Sequence, residues 1–269
     1  MSVTLNVILG ITLIFLGTTL GSSLIFFFKN KGEISPKINQ ITLGFASGIM
    51  LSASIFSLIV PAYNYNTGYM PSYLVVSLGI IIGVLFIYAI DKLVPHLHVK
   101  NNEEEGIKTN KFSKTSKMFL AVTIHNIPEG LTVGISYGIA LANLASGMSV
   151  AESSIMSALF LAIGMMIQNI PEGFGVALPM LGEMSKKKAF AFGSLSGAVE
   201  PVAAAIGLVL AYQIEALMPW SLAFAAGCMM YVIVEEMIPD FSKESSHHYG
   251  LFSFFIGFIL MMVLDSALG

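Results

Sequence analysis

The chain has 269 residues, of which 55% are hydrophobic and only 11% are charged, and its mean hydropathy is +0.81. Soluble domains usually carry about 25% charged residues, so this composition excludes an ordinary cytosolic enzyme, a disordered chain and a secreted disulfide scaffold. A net charge of −3 gives no reason to expect nucleic-acid binding, and the single cysteine excludes an internal disulfide.

A helix needs about 20 mostly apolar residues to cross a bilayer, and eight segments meet this requirement. They lie at about 3–28, 38–63, 71–95, 118–142, 153–180, 188–212, 219–240 and 249–268. The first has no basic segment before it, so we expect a retained span and not a cleaved signal peptide. Weak period-two alternation argues against a transmembrane barrel. The long polar connection, about 96–117, is too short for a domain, so residues 1–269 are predicted to form one all-α transmembrane domain.

The 13 basic residues are all lysines, and every one falls on the same side of the eight predicted spans. The connections on the other side, such as YNYNTGYMPSY and LANLASGMSVAES, contain none. Because cytoplasmic loops are enriched in Lys and Arg, the lysine side is predicted to be cytoplasmic. An even number of spans then places both termini outside. We expect a multi-pass protein of the cell (inner) membrane.

Six carboxylates interrupt the predicted spans, where charged groups are costly and usually line a polar pathway. They are Glu129, Glu172, Glu200, Glu235, Glu236 and Asp265. A rise of about 1.5 Å per residue from the nearest lysine places the first three roughly 18–21 Å from the inner edge, near mid-membrane. No lysine shares that depth. A divalent cation is therefore the simplest counter-charge for carboxylates that would otherwise repel one another.

Two of these glutamates lie in a repeated motif, HNIPEG at residues 125–130 and QNIPEG at residues 168–173. The copies run through the membrane in opposite directions, as expected of an inverted repeat around a midplane site. His125 and Glu129 share a helix face, as does the corresponding pair in the second copy. The proline of each copy frees a backbone carbonyl and favours a bend. Imidazole, amide and carboxylate groups together suit first-row divalent metals.

The paired motifs resemble those of the ZIP (Zrt/Irt-like protein) family of divalent-metal transporters, and in particular its bacterial GufA-like branch. The resemblance extends to the eight spans, the hydrophilic loop and the segment GFASGIMLSAS of the second span. It implies a binuclear metal site at the midplane, with two glutamates bridging. One metal position would use Met50, His125, Glu129, Gln168 and Glu172. The adjacent position would use Asn126, Glu129, Asn169, Glu172 and Glu200.

The resemblance implies a transporter, and not an enzyme, that moves a divalent metal from outside into the cytoplasm. Zinc is the favoured ion, and iron, manganese and cadmium are alternatives, because Gln168 stands where many family members have histidine. The metal is the substrate and no cofactor is expected. The partners are metal ions and the lipid bilayer, without nucleic acid, and a homodimer is one assembly considered. The family also suggests that spans 1, 4, 5 and 6 move against spans 2, 3, 7 and 8.

Two other classes of protein compete with this interpretation. An intramembrane metalloenzyme would need three zinc ligands, an open water position and a general base, and the sequence contains no HExxH. An ion-coupled transporter of an organic substrate should show an arginine or an aromatic cluster at its site, and the chain has no arginine.

The remaining polar residues have several interpretations. Glu235 and Glu236, with Asp91 and Asp240, form an inner exit path or are carboxylates at helix ends. We interpret His247 and His248 as loop residues and Asp265 as a helix-end residue. His96 and His98 are too few for strong metal buffering by the long loop.

The predicted orientation can be tested with single cysteines in a Cys228→Ser background. Lys114→Cys and Lys187→Cys should be shielded from an impermeant thiol reagent in intact cells, because both positions lie on the lysine side. Asn66→Cys should react. Labelling of either lysine position from outside, with permeabilised cells as the control for reactivity, would overturn the orientation.

Overall fold

The computed structural model describes ten stretches of the chain and shows an almost entirely helical protein. The described residues are 2–27, 36–65, 68–93, 96–97, 104–105, 114–148, 151–181, 184–213, 217–239 and 248–268. Their helical content confirms the predicted all-α class. Within the predicted polar loop, β1 (His96–Leu97) pairs antiparallel with β2 (Glu104–Glu105). Four residues named above lie outside the described residues, namely Asn66, His98, Asp240 and His247. Six of the 13 lysines also lie outside them, namely Lys29, Lys31, Lys100, Lys108, Lys111 and Lys243.

Ten α-helices are present in the described part of the chain. They are α1 (Val3–Ser23), α2 (Pro36–Ala53), α3 (Val60–Asn64), α4 (Ser72–Leu93), α5 (Lys114–Ala145), α6 (Ala151–Met180), α7 (Lys186–Ser196), α8 (Val199–Gln213), α9 (Met218–Val232) and α10 (Tyr249–Leu268). A 3₁₀ turn, Leu24–Phe27, extends α1. A π-helical segment, Ser54–Ile59, joins α2 to α3, and another, Ile233–Met237, extends α9.

Seven helical stretches among the described residues are long and apolar enough to cross a membrane. They are Val3–Phe27, Gln40–Asn64, Ser72–Leu93, Glu152–Leu178, Lys186–Tyr212, Met218–Glu235 and Tyr249–Ala267. Each coincides with one predicted span. The remaining predicted span, 118–142, coincides with the 32-residue helix α5, which carries the polar HNIPEG segment. The count of eight spans and the outside placement of both termini stay predictions.

The motif prolines do not interrupt their helices. α5 continues through Pro128, and α6 continues through Pro171. The break lies instead in the sixth predicted span, where a turn at residues 197–198 separates α7 from α8. Pro201 follows in the first turn of α8, where a backbone N–H would have no partner within the helix. The sixth span is therefore divided immediately before Glu200.

Close helix packing in the bundle occurs in four pairs: α1 with α6, α5 with α8, α2 with α10, and α4 with α9. In each pair a glycine lies directly against backbone of the partner helix, as small residues allow in membranes. The contacts include Gly21 with Ile170, Gly134 with Ala204, Gly48 with Phe254 and Gly83 with Phe224. In α2, Gly44 meets Gly250 and Gly48 meets Phe254. A step of four residues along α2 corresponds to a step of four residues in the same direction along α10, so these two helices run parallel.

The pairing has an inverted symmetry that extends the repeat seen in the motifs. Exchange of the first span with the sixth, the second with the seventh, the third with the eighth and the fourth with the fifth converts each pair into another. The pair of α1 and α6 becomes that of α8 and α5, and the pair of α2 and α10 becomes that of α9 and α4. The π-helical segments also correspond, because one follows α2 and the other follows α9.

Gly173 and Gly175 on α6 provide a matched test of this packing. A Cβ on Gly173 would collide with the backbone carbonyl of Thr18, whereas a Cβ on Gly175 would meet nothing within 4 Å. Gly173→Ala should lower the free energy of unfolding by about 1–3 kcal/mol, as overpacking does. Gly175→Ala should be neutral or stabilising by up to about 1 kcal/mol, because alanine is the better helix former. Thermal unfolding of the two purified variants in detergent measures the difference, and equal melting temperatures would contradict the packing.

Candidate metal centre

The two motifs meet deep inside the bundle, where α5, α6 and the start of α8 lie together. Glu129 is 1% exposed, and Asn126, Gln168, Asn169 and Glu200 are fully buried. Met50 and His125 are also buried, and Glu172 is partly exposed. Such polar side chains are rarely buried unless they are paired, so their partners show what the centre can do.

Glu200 is the point at which the two copies of the motif come into contact. Asn126 of α5 donates its Nδ2–H to Oε1 over 2.9 Å, and Asn169 of α6 donates to Oε2 over 2.8 Å. The hydroxyl of Thr18 on α1 donates to Oε1 over 2.8 Å. One carboxylate of α8 thus binds three other helices. The structure thus brings Asn126, Asn169 and Glu200 together, and their role as metal ligands stays a prediction.

The two amides are themselves held by backbone carbonyls. Asn126 Nδ2 lies 3.2 Å from the carbonyl of Ser196, at the end of α7. Asn169 Nδ2 lies 3.1 Å from the carbonyl of Ile14 on α1. Each amide therefore uses its donors on Glu200 and on a neighbouring helix. The break between α7 and α8 contributes directly, because it leaves the Ser196 carbonyl available to Asn126.

Glu129 is linked to the second motif through Gln168, whose Nε2–H donates to Glu129 Oε1. Glu172 acts by coulombic repulsion on both Glu129 and Glu200, and Glu200 also acts on Glu129. The three carboxylates predicted to share a depth are therefore close enough to interact. Neutral amide and hydroxyl donors compensate part of their charge.

Three buried oxygen atoms of the centre have no hydrogen-bond donor among the described residues. They are Asn126 Oδ1, Glu129 Oε2 and Gln168 Oε1. A buried acceptor without a partner costs about 1–3 kcal/mol. Amide and carboxylate oxygens are also ligands of divalent cations. The donor set therefore fits a bound cation, although no three His, Cys, Asp or Glu side chains of the described residues already surround one point. Coordination would need the amide oxygens to contribute and side chains to turn.

Met50 and His125 lie on two different helices, α2 and α5. Met50 lies on α2, which packs against α6, in the same hydrophobic core as Ile14 and Met165. His125 precedes Glu129 by one helical turn on α5. Both are buried, and their assignment to the first metal position stays a prediction.

Thr18 was missed by the sequence reasoning, and a signal for it exists. It belongs to the hydroxyl-rich segment GTTLGSS of the first span. It lies 11 residues before Lys29, which places it roughly 16 Å from the inner edge by helix rise. That depth is close to the depth of the three carboxylates. Counting hydroxyl groups together with carboxylates would have included it.

The other polar candidates lie apart from these contacts. Asp265, near the end of α10, accepts a hydrogen bond of 2.6 Å from Ser57 in the π-helical segment after α2. Asp91 is buried near the end of α4, and Glu235 is exposed in the π-helical segment after α9. Cys228 is buried in α9, with its thiol 3.4 Å from the carbonyl of Gly83.

Comparison with known proteins identifies the family of the chain. The family model described as ZIP Zinc transporter matches residues 4–118 and 118–265. The chain belongs to the ZIP zinc transporter family. The zinc transporter GufA of Myxococcus xanthus is 36% identical over 88% of this chain and 90% of its own length. This similarity confirms the predicted GufA-like branch.

Further relatives cover nearly the whole chain. The zinc transporter ZIP11 of Xenopus tropicalis is 31% identical over 94% of each chain. The zinc transporter ZupT of Streptococcus mutans is 33% identical over 92% of each chain.

The assignment of Glu200 to the second metal position alone can be tested by metal content. Glu200→Ala should lower the number of metals per chain from two towards one, because the first position keeps both bridging glutamates. Glu129→Ala should impair both positions and transport together. Elemental analysis of the purified variants, combined with uptake, measures this difference. Two tightly bound metals in Glu200→Ala, or unimpaired transport in Glu129→Ala, would refute the binuclear arrangement.

Proposed function

We propose that this ZIP family member carries divalent metal ions, zinc first, from outside into the cytoplasm through a binuclear site at mid-membrane. The observation that carries the proposal is the contact of both motif amides, Asn126 and Asn169, with the single carboxylate of Glu200. The unpartnered oxygens beside it support the same conclusion, because they are cation ligands in a buried setting. The names of the relatives support zinc as the substrate.

The two positions share Glu129 and Glu172 as bridging ligands. Met50, His125 and Gln168 complete the first position, and Asn126, Asn169 and Glu200 complete the second. Two divalent ions bring four positive charges against three carboxylates, so a doubly loaded site keeps one excess positive charge. A low excess charge is favourable at mid-membrane, because burial penalises charge. The oxygen of Gln168, in place of an imidazole, is compatible with iron, manganese or cadmium as further substrates.

The proposed orientation follows from charge. All 13 lysines lie on one side of the predicted spans, which supports a multi-pass protein of the cell (inner) membrane with eight spans and both termini outside. Metal would reach the buried site from the lysine-free side and leave on the lysine side. The burial of the centre implies that helices must rearrange during passage. We propose that the bundle of α1, α5, α6, α7 and α8 moves relative to α2, α3, α4, α9 and α10.

Zinc uptake by the full-length protein in proteoliposomes tests this function. His125→Ala and Glu172→Ala should lower uptake by more than about ten-fold, as expected when direct ligands of a transported ion are removed. Glu152→Gln is the matched control, because Glu152 lies exposed at the start of the same helix as Glu172. The control should transport like the unmodified protein. Near-normal zinc uptake by either site variant would show that the site is assigned wrongly.

A further inference from the structure

The inverted symmetry of the bundle relates Thr18 to Glu200. The last residue of each motif is a glycine that packs on the backbone of a neighbouring helix. Gly130 lies against the carbonyl of Glu200 in α8, and Gly173 lies against the carbonyl of Thr18 in α1. The symmetry that superimposes one motif on the other therefore superimposes Thr18 on Glu200. Thr18 thus presents a hydroxyl at the position where its symmetry-related residue, Glu200, presents a carboxylate.

The two related residues contact each other directly. The Thr18 hydroxyl donates to Glu200 Oε1 over 2.8 Å, and both residues are fully buried. The position of Thr18 is fixed by its neighbours. Ser22 Oγ donates to the Thr18 carbonyl over 2.8 Å. Gly197, in the turn before α8, packs on the Thr18 side chain so closely that a Cβ there would lie 2.7 Å from the threonine Cβ. The hydroxyl is thereby held against the carboxylate.

We propose that Thr18 is a positioning residue for the second metal position, where it acts through Glu200; this inference rests on the proposed function. Asn126 and Thr18 both donate to Oε1 of Glu200, while Asn169 donates to Oε2. An amide that turns its oxygen towards a metal withdraws its N–H from the carboxylate. Thr18 does not need to turn, so its hydrogen bond would hold Oε1 in place while Asn169 frees Oε2 for a metal.

A hydroxyl is suited to this position because it adds no charge. A carboxylate at Thr18, as the symmetry alone would give, would place a fourth acid beside Glu129, Glu172 and Glu200. Repulsion among buried carboxylates already disfavours their ionised forms. A threonine supplies one donor to Glu200 without increasing that repulsion, and its branched side chain fills the space against Gly197.

The expected effect is a selective loss of affinity at the second position. Residues that orient a metal ligand typically contribute 10- to 100-fold to metal affinity, so Thr18→Val should weaken the second zinc by at least about ten-fold. The first zinc should bind unchanged. Thr18→Ser, which restores the hydroxyl, should bind the second zinc within about three-fold of the unmodified protein. Thr12→Val is the matched control on α1, because the Thr12 hydroxyl bonds to its own helix at Ile8 on an exposed face.

The experiment is a zinc titration of the purified full-length protein with metal content measured in parallel. It uses Thr18→Val, Thr18→Ser, Glu200→Ala, the double variant Thr18→Val/Glu200→Ala and Thr12→Val. If Thr18 acts through Glu200, the double variant should bind zinc like Glu200→Ala alone. A merely structural role would add its own loss of affinity in that background, and serine would not restore binding. Either of those results would overturn the inference.

Two further outcomes separate this inference from the proposed function. If Glu200→Ala alone keeps two zinc ions at unchanged affinity, the binuclear site itself is refuted. If Glu200→Ala loses one zinc while Thr18→Val binds as the unmodified protein does, only the role of Thr18 is refuted. If Thr18→Val does not fold, as judged by its melting temperature, Thr18→Ala removes the same hydroxyl and is held to the same criteria.

Discussion

Repulsion between Glu129, Glu172 and Glu200 is the physical constraint that this bundle must satisfy. Three carboxylates within coulombic reach of one another repel each other strongly in a low-dielectric interior. The contacts shown at Glu129 and Glu200 come from neutral groups, namely the amides of Gln168, Asn126 and Asn169 and the hydroxyl of Thr18. Neutral donors lower the cost of the negative charge without cancelling it. The remaining charge is what the proposed site offers to a divalent cation.

The close helix pairs follow from the same constraint. A side-chain amide is short, so Asn126 and Asn169 can both reach Glu200 only if α5 and α6 approach α8 closely. Gly130 provides that approach for α5, because it lies against the backbone of Glu200. Gly173 instead brings α6 against α1 at Thr18, whose hydroxyl also donates to Glu200. The motif thus combines a proposed metal ligand and a packing residue at adjacent positions. A side chain at Gly130 would push α5 away from α8, and one at Gly173 would push α6 away from α1.

The sequence was sufficient to predict depth but not lateral contact. Hydropathy predicted 153–180 for the helix found at Ala151–Met180, because the bilayer sets the length of a span. Counting from the lysines placed Glu129 and Glu200 at one level, and Asn126 beside the first contacts the second. Which atom faces which depends on how helices are arranged around one another, and a one-dimensional pattern does not contain this. For this reason Thr18 was missed, and the break at residues 197–198 was not predicted.

The choice of amides over charged ligands at three positions has a physical consequence. Asn126, Asn169 and Gln168 each direct an N–H at a carboxylate in this structure. The same side chains bind a cation through the opposite atom, the amide oxygen. Half a turn about the terminal torsion, which is broad and soft for amides, converts a group that compensates a carboxylate into one that coordinates a metal. A carboxylate at these positions could only accept, and a lysine could only donate. In the proposed site, amides would keep the acids buried together and still release them to a cation, which is what transport, as distinct from permanent binding, requires.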